Sequence, residues 1–349
     1  MYNFTIFKCL LYLRNIVILS LSLTLIISCK KEKSAPVSEP PIQTIPADTS
    51  IYACKNLPAA PLPFGWRDTT SDPNKNINTY LYNPANPDQI IYVVEGDLFG
   101  YNKMFCFDVP LKKTTYLASI SDFPPQINKY GWILYSTNDN EVFKVKTNGD
   151  SIVKLTIGNK SKDPKWDFTD KNYYIFQMPY NTYPSMLAKL DQNNFALLNF
   201  PLEMPNTAAF KKSNKIIYLK TNENTISLIQ REINAPNAEK ILLTIPFSPT
   251  STSNLFDNLT LDQTDENVYW SNTSGILKCN LSSLKVDTVL KNCANIKYDN
   301  PIFQSFKPNS ILLTAHLIQN INAFQLLHTY KAIEYNVLSK EKTEVKIFP

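Results

Sequence analysis

Apolar and polar residues alternate along this chain in short runs, and the runs come in pairs. At 142–156 the sequence reads VFKVKTNGDSIVKLT. An alternating run, VFKVK, meets the turn TNGD and is followed by a second run, SIVKLT. Asn-Gly between two such runs is the strongest short-range hairpin signal. Versions of the same unit recur at 104–117 (MFCFDVPLKKTTYL), 276–290 (ILKCNLSSLKVDTVL) and 332–347 (AIEYNVLSKEKTEVKI), with weaker copies at 186–200 and 228–245. Upstream of each hairpin lies a denser apolar run: IIYVV (90–94), WILYS (132–136), YYIFQ (173–177), KIIYL (215–219), NVYWS (267–271) and SILLT (310–314). Near-continuous apolar runs of this length predict strands buried on both faces.

Taking Tyr92, Tyr135, Phe176, Tyr218, Tyr269 and Leu313 as equivalents, the spacings are 43, 41, 42, 51 and 44 residues. A period of about 44 falls in the range for four-stranded propeller blades. The spacing of 51 contains a Ser/Thr/Pro-rich insert at 248–254, a loop by composition. After residue 30 no segment has the period of an amphipathic helix. The pattern predicts an all-β fold, a six-bladed β-propeller of four-stranded antiparallel blades at about 79–120, 123–159, 163–202, 206–247, 257–293 and 299–349. One blade cannot bury both its faces, whereas six in a ring can. Ring closure is expected either from strand pairing near 79–82 or from blade-to-blade packing.

The N-terminus departs from this pattern. Lys8 and Arg14 precede a twelve-residue apolar run at 16–27, short for a membrane span, which ends in Ser28-Cys29. This resembles a bacterial lipoprotein signal over 1–28, with cleavage before Cys29 and acylation of its thiol. Lys30-Lys31 after the Cys is similar to lipoproteins of the Bacteroidetes type. The absence of Asp at position 30 implies the outer rather than the inner membrane. Residues 29–50 hold four prolines and few apolar side chains, and are expected to form a disordered, extended tether. Residues 51–78 are expected to be an irregular N-terminal extension.

Composition adds two constraints. The chain has 7 Gly but 37 Asn, so turns needing a positive φ must use Asn and Asp. A net charge of +5 with no basic patch gives no footprint for nucleic acid. Once Cys9 and Cys29 are set aside, Cys54, Cys106, Cys279 and Cys293 remain. An exported chain can oxidise them in any of three pairings. Cys106 and Cys279 lie in expected strands, where a small buried apolar residue serves equally well. None has zinc-ligand spacing.

The run Asp163-Pro164-Lys165-Trp166-Asp167-Phe168-Thr169-Asp170, leading into Tyr173-Tyr174-Ile175-Phe176, resembles the start of a TolB-like or WD40-like periplasmic propeller repeat. The hairpin at 142–156 looks like its second half. The turn after the first strand departs from the family's Ser-Pro-Asp-Gly in every copy. The resemblance implies a cell-envelope propeller that serves as a docking surface rather than an enzyme.

Candidate chemistry is sparse. Asp88, Asp170 and Asp265 recur between first and second strands, where Asp bonding its own backbone accounts for them. The only histidines, His316 and His328, are expected nearly opposite each other across a hairpin centred near Asn322. They are the weak candidates for a metal clamp, without a third ligand. Trp132, Trp166 and Trp270 are expected in the core between blades. The loops between second and third strands share a face with the inter-blade connections, around the channel mouth, and such loops tend to carry binding. They hold Tyr180 and Tyr183 in the third blade, and Asp97, Asp139, Glu223 and Asn272 in others. Tyr180, Tyr183, Asp139, Asp97 and Trp66 are the expected ligand face. No nucleophile elbow, phosphate loop or Rossmann turn is present. The expectation is a lipid-anchored binding module for a protein or an envelope glycan, with no metal and no cofactor. The alternatives are a glycan-cleaving propeller enzyme and a structural subunit of an envelope or secretion assembly.

Overall fold

The structure is a computed structural model that describes residues 54, 65–67, 76–96, 101–156, 161–167, 169–177, 185–190, 195–202, 208–211, 213–222, 225–233, 239–246, 257–304, 307, 309–322 and 325–348. The expected signal, Cys29 and the tether lie outside these residues. The described chain is all strand and connection. A first sheet contains β2 (Ile77–Tyr82), β3 (Gln89–Val94), β4 (Asn102–Asp108) and β5 (Lys113–Ile120). The second contains β6 (Gln126–Ile127), β7 (Trp132–Ser136), β8 (Val142–Lys146) and β9 (Val153–Lys154). The third contains β10 (Ser161–Trp166), β11 (Tyr173–Gln177), β12 (Ser185–Leu190) and β13 (Phe195–Leu202). The fourth contains β14 (Ala208–Lys211), β15 (Lys215–Asn222), β16 (Thr225–Glu232) and β17 (Lys240–Pro246). The fifth contains β18 (Asp257–Leu261), β19 (Asn267–Asn272), β20 (Gly275–Asn280) and β21 (Val286–Lys291). The sixth has five strands: β22 (Ile296–Phe303), β23 (Ser310–Asn322), β24 (Gln325–Asn336), β25 (Lys342–Glu344) and, from the N-terminal extension, β1 (Gly65–Arg67).

The core lies between sheets. The dense apolar runs are the second strands, and they are buried on both faces: Ile91, Ile133, Leu134, Ile216, Ile217, Val268, Trp270 and Ile311 are all fully buried. One cluster joins Ile302, Leu312 and Ala332 of the sixth sheet to Ile91 and Met104 of the first and Ile133 of the second. Others link Leu134 to Ile175 across the second and third sheets, Ile217 to Val268 across the fourth and fifth, and Tyr269 to Ile296 across the fifth and sixth. Burial on this scale, at about 25 cal/mol per Å², is the main force holding blade against blade. The Asn148-Gly149 turn of the second sheet is itself part of this packing. Gly149 has φ +84°, and a Cβ there would touch Thr115 and Leu117 of the first sheet.

Two expectations need correction. The sixth blade is not a four-stranded copy of the others, because β23 and β24 run to 13 and 12 residues. Their free upper half is an open edge, and β1 fills it by pairing parallel to β24, Gly65 with Leu326 through Arg67 with His328. The 51–78 segment therefore supplies a strand to the ring. Of the two routes to closure, pairing at 79–82 is not used, since those residues belong to β2 in the first sheet, and blade-to-blade packing joins the sixth sheet to the first. Gln304 adds to it with its side chain: its Oε1 accepts from Tyr82 N at 2.8 Å, and its Nε2 donates to Tyr82 O at 2.8 Å. The C-terminal residues Ile347 and Phe348 pack on the first sheet, Phe348 lying 5.4 Å from the Tyr92 ring and 5.2 Å from Phe107. A Cys54–Cys293 disulfide ties the N-terminal extension to the connection between fifth and sixth sheets. Cys106 and Cys279 stay as buried thiols.

Four first strands share a defect. β2, β10, β18 and β22 each carry one extra residue relative to the second strand, between Ile77 and Thr79, Lys162 and Lys165, Asp257 and Thr260, and Asp299 and Ile302. In two of them the bulged residue is left-handed and followed by proline: Asp163 (φ 48°) before Pro164, and Asn300 (φ 52°) before Pro301. Proline gives up no ladder bond there, since its nitrogen carries no hydrogen. Bulges bend a strand and re-aim its side chains.

Candidate functional site

Bulges in β2 and β22 flank a pocket of about 520 Å³ between the first, fifth and sixth sheets. It lies where the loops after second strands meet the inter-sheet connections. The first sheet contributes Asn78 from the β2 bulge and Glu95 from just beyond β3. The fifth contributes Ser271, Asn272 and Thr273 at the end of β19, and Asn292 beyond β21. The sixth contributes Lys297, Tyr298, Asp299 and Asn300 of β22, Thr314 and His316 of β23, and Tyr330 of β24.

Asp299 is the hub. Its Oδ1 accepts from Ser271 Oγ and from the Asn300 backbone N–H at 2.7 Å. Burial raises its carboxyl pKa, opposed by those two bonds and by the Lys297 charge. Asn300 Nδ2 donates to Thr314 Oγ1, and Thr314 in turn donates to the backbone carbonyl of Asn78. One hydrogen-bonded chain thus crosses from the fifth sheet through the sixth to the first. Asn78 Oδ1 is buried and has no hydrogen-bond donor among the described residues. The rim is fixed by two amides. Asn272 Oδ1 accepts from Ser274 N at 2.8 Å and Gly275 N at 3.2 Å. Asn292 donates to Asn272 O and accepts from Tyr298 N at 2.7 Å.

His316 forms the wall with Tyr330, the two rings stacked at 4.5 Å and 9°. Its Nε2 lies 2.7 Å from His328 Nδ1, so one ring donates and the other accepts. Burial, the His328 ring and Lys297 push the His316 pKa down to about 4, and burial and Lys297 lower that of His328. Both are neutral at pH 7. The expected pairing across the hairpin is displaced: the turn lies beyond Asn322, between Asn322 and Gln325, so His316 pairs with Tyr330 and Ile318 with His328, which makes His328 the diagonal neighbour of His316. Among the described residues no group of three or more His, Cys, Asp or Glu side chains is placed to hold a metal ion.

Of the residues singled out in the sequence, Asn272 and His316 line this pocket. Asp139 is exposed in the β7–β8 turn and outside the lining. For Trp66 only the backbone of β1 is described, paired with Leu327. Asp97, Tyr180, Tyr183, Glu223 and Cys29 lie outside the described residues. Trp270 is fully buried, as the core reading requires, while Trp132 and Trp166 are half-buried. The hub itself, Asp299-Asn300 with Asn78 and Thr314, escaped sequence reading. One signal was there: Asn300-Pro301 repeats the Asp163-Pro164 of the third blade.

No family model matches the chain, and no curated protein sequence matches it. Among solved structures, an Agrobacterium tumefaciens protein assigned as TolB superposes with a TM-score of 0.51 at 10% identity, covering 70% of this chain and 88% of that one. TolB from Acinetobacter baumannii gives a TM-score of 0.46 at 9% identity, covering 74% and 69%. A chain of a nidogen/laminin complex gives 0.45 at 13% identity, covering 61% and 79%. The first of these carries the fold alone: this chain is a β-propeller similar in fold to that protein.

Proposed function

We propose that this TolB-like propeller is a lipid-anchored binding module of the cell envelope. It captures a protein or an envelope glycan at the pocket between the first, fifth and sixth sheets, without chemistry of its own. One observation carries the reading: the pocket is pre-wired. Its polar groups are locked to each other by bonds crossing three sheets, which lowers the cost of ordering them when a ligand arrives. The anchor rests on Cys29 and the apolar run before it. Acylation there would bury several tens of methylenes at about 0.8 kcal/mol each, enough for stable attachment to the outer membrane. The proline-rich segment after it would hold the propeller away from the bilayer.

A second reading, a glycan-cleaving enzyme, draws support from Asp299, Glu95, His316 and Lys297 meeting in one pocket. The experiment is capture of partners from crosslinked envelopes by wild type, Asp299→Asn and Cys29→Ala. Binding predicts that Asp299→Asn loses the partner and that Cys29→Ala leaves the membrane fraction. Turnover of envelope polysaccharide by wild type but not by Asp299→Asn would favour the enzyme. Retention of Cys29→Ala in the membrane after signal processing would remove the lipid anchor.

A further inference from the structure

We propose that the ligand of this pocket is an uncharged saccharide, held at a terminal mono- or disaccharide unit. The inference rests on the binding role just given and narrows it. The lining has three features that select this chemistry. First, among the described residues the lining contains no Leu, Ile, Val, Met or Phe; its apolar surface comes from the rings of Tyr330 and His316, the Thr273 and Thr314 methyls and the Lys297 stem, while the Tyr298 ring packs in the core. Sites for drug-like molecules and the anchor residues of peptides are lined mainly by hydrophobic groups. A pocket of amides, hydroxyls, carboxylates and aromatic rings fits a ligand that is polar around its edge and apolar only on its ring faces.

Second, the groups left over by the internal network are acceptors. Among the described residues both hydrogen bonds to Asp299 fall on Oδ1, leaving Oδ2 for a ligand. Asn78 Oδ1 is buried without a donor among the described residues. The hydroxyls of a sugar supply donors for such acceptors, and a hydroxyl can in turn accept from Lys297 on the rim. Third, the charges oppose one another. Glu95 and Asp299 disfavour a phosphate or a carboxylate, and Lys297 disfavours an ammonium group. The volume, about 520 Å³, lies within the ~300–1,000 Å³ of small-molecule sites and has room for one or two sugar rings.

The test is calorimetric titration of the full chain in detergent with glucose, galactose, mannose, N-acetylglucosamine and their disaccharides, beside glucuronate and glucosamine. Neutral sugars should bind at least ten-fold more tightly than the charged ones. Asn78→Ala and Glu95→Gln should each weaken binding ten-fold or more at unchanged melting temperature, with Asp299→Asn as a third variant. Asp150→Ala, in the β8–β9 turn, should bind like wild type. Sugar binding that ignores the pocket variants overturns this assignment. Silence toward every sugar also overturns it. If Asn78→Ala then still loses an envelope protein in the capture experiment, the binding role survives without the saccharide. If capture is unchanged as well, both fall.

Discussion

Asp167 and Asp170 stand three residues apart in one turn and do different jobs. Asp167 Oδ1 accepts from the backbone N–H groups of Thr169, Lys171 and Asn172 and from the Thr169 hydroxyl, while Oδ2 takes the Asn172 amide at 2.9 Å. Asp262 repeats this arrangement with Thr264, Glu266 and Asn267. Asp170 and Asp265, the residues that stood out in the sequence, are instead the left-handed positions at φ 60° and 58°. They do sit in turns, but the carboxylate that bonds the backbone lies three residues earlier, so the expected self-bonding belongs to Asp167 and Asp262 instead. Asp167→Ala should therefore cost about 1–3 kcal/mol in urea unfolding, since it strands several N–H groups. Asp170→Gly should stay within about 0.5 kcal/mol, because glycine suits the backbone and the ion pair it loses is long, 3.7 Å, with an exposed Lys129 and a half-buried Asp170. A large loss from Asp170→Gly would sink this division of roles. The pocket offers a second residue-level test. His316 keeps its folded pKa at about 4 against an ordinary 6.5, so below pH 6.5 the unfolded chain takes up protons that the folded chain refuses. Stability should be full above pH 6.5 and fall as pH drops toward 4, by at most about 3 kcal/mol from this group. His316→Phe should flatten that part of the pH profile; an unchanged slope would show that His316 is not its source.

At the scale of strands, the 44-residue period found all six second strands, because burial on both faces writes itself as an unbroken apolar run. It missed β1, which is three residues long and has no pattern of its own, and it missed the first-strand bulges. A bulge inserts one residue and so breaks the two-residue alternation that reveals a strand. That is why the hub of the site, seated on two bulges, was not legible when the scaffold was. Glycine positions give a sharp contrast. At Gly275, φ +132°, a Cβ would stand 1.9 Å from the Leu290 carbonyl oxygen and 2.9 Å from Asn292 N. Gly275→Ala should cost on the order of 2 kcal/mol or more and weaken any ligand, since Asn272 and Asn292 meet there. At Gly149 the nearest atoms are 3.4 Å away, an ordinary contact, so Gly149→Ala should cost only the left-handed backbone, about 1 kcal/mol. Equal losses at the two sites, read from urea midpoints, would contradict this account.

For the whole molecule, closure is the property the repeat alone could not specify. Identical blades leave the seam between first and last undetermined; here core packing of the repeat strands is joined by two non-repeating parts, Gln304 and the Ile347-Phe348 tail, while β1 and the Cys54–Cys293 bridge fix the N-terminal extension to the sixth sheet and to the connection before it. Four cysteines left three pairings open, and which one forms depends on where a patternless N-terminal segment runs. The bridge closes a loop of 239 residues, so on the chain-entropy account it contributes about 5 kcal/mol. Cys54→Ser, or dithiothreitol, should lower the melting temperature by several degrees. A melting temperature indifferent to reductant would mean that the bridge is not formed. The same bridge sets the path of mechanical tension. A pull between the two chain ends passes from Cys54 directly to Cys293 and then through the sixth sheet alone. The chain between the two cysteines, β1 and the first five sheets, about 800 Å at ~3.4 Å per residue, stays off the line of force until the sulfurs are reduced.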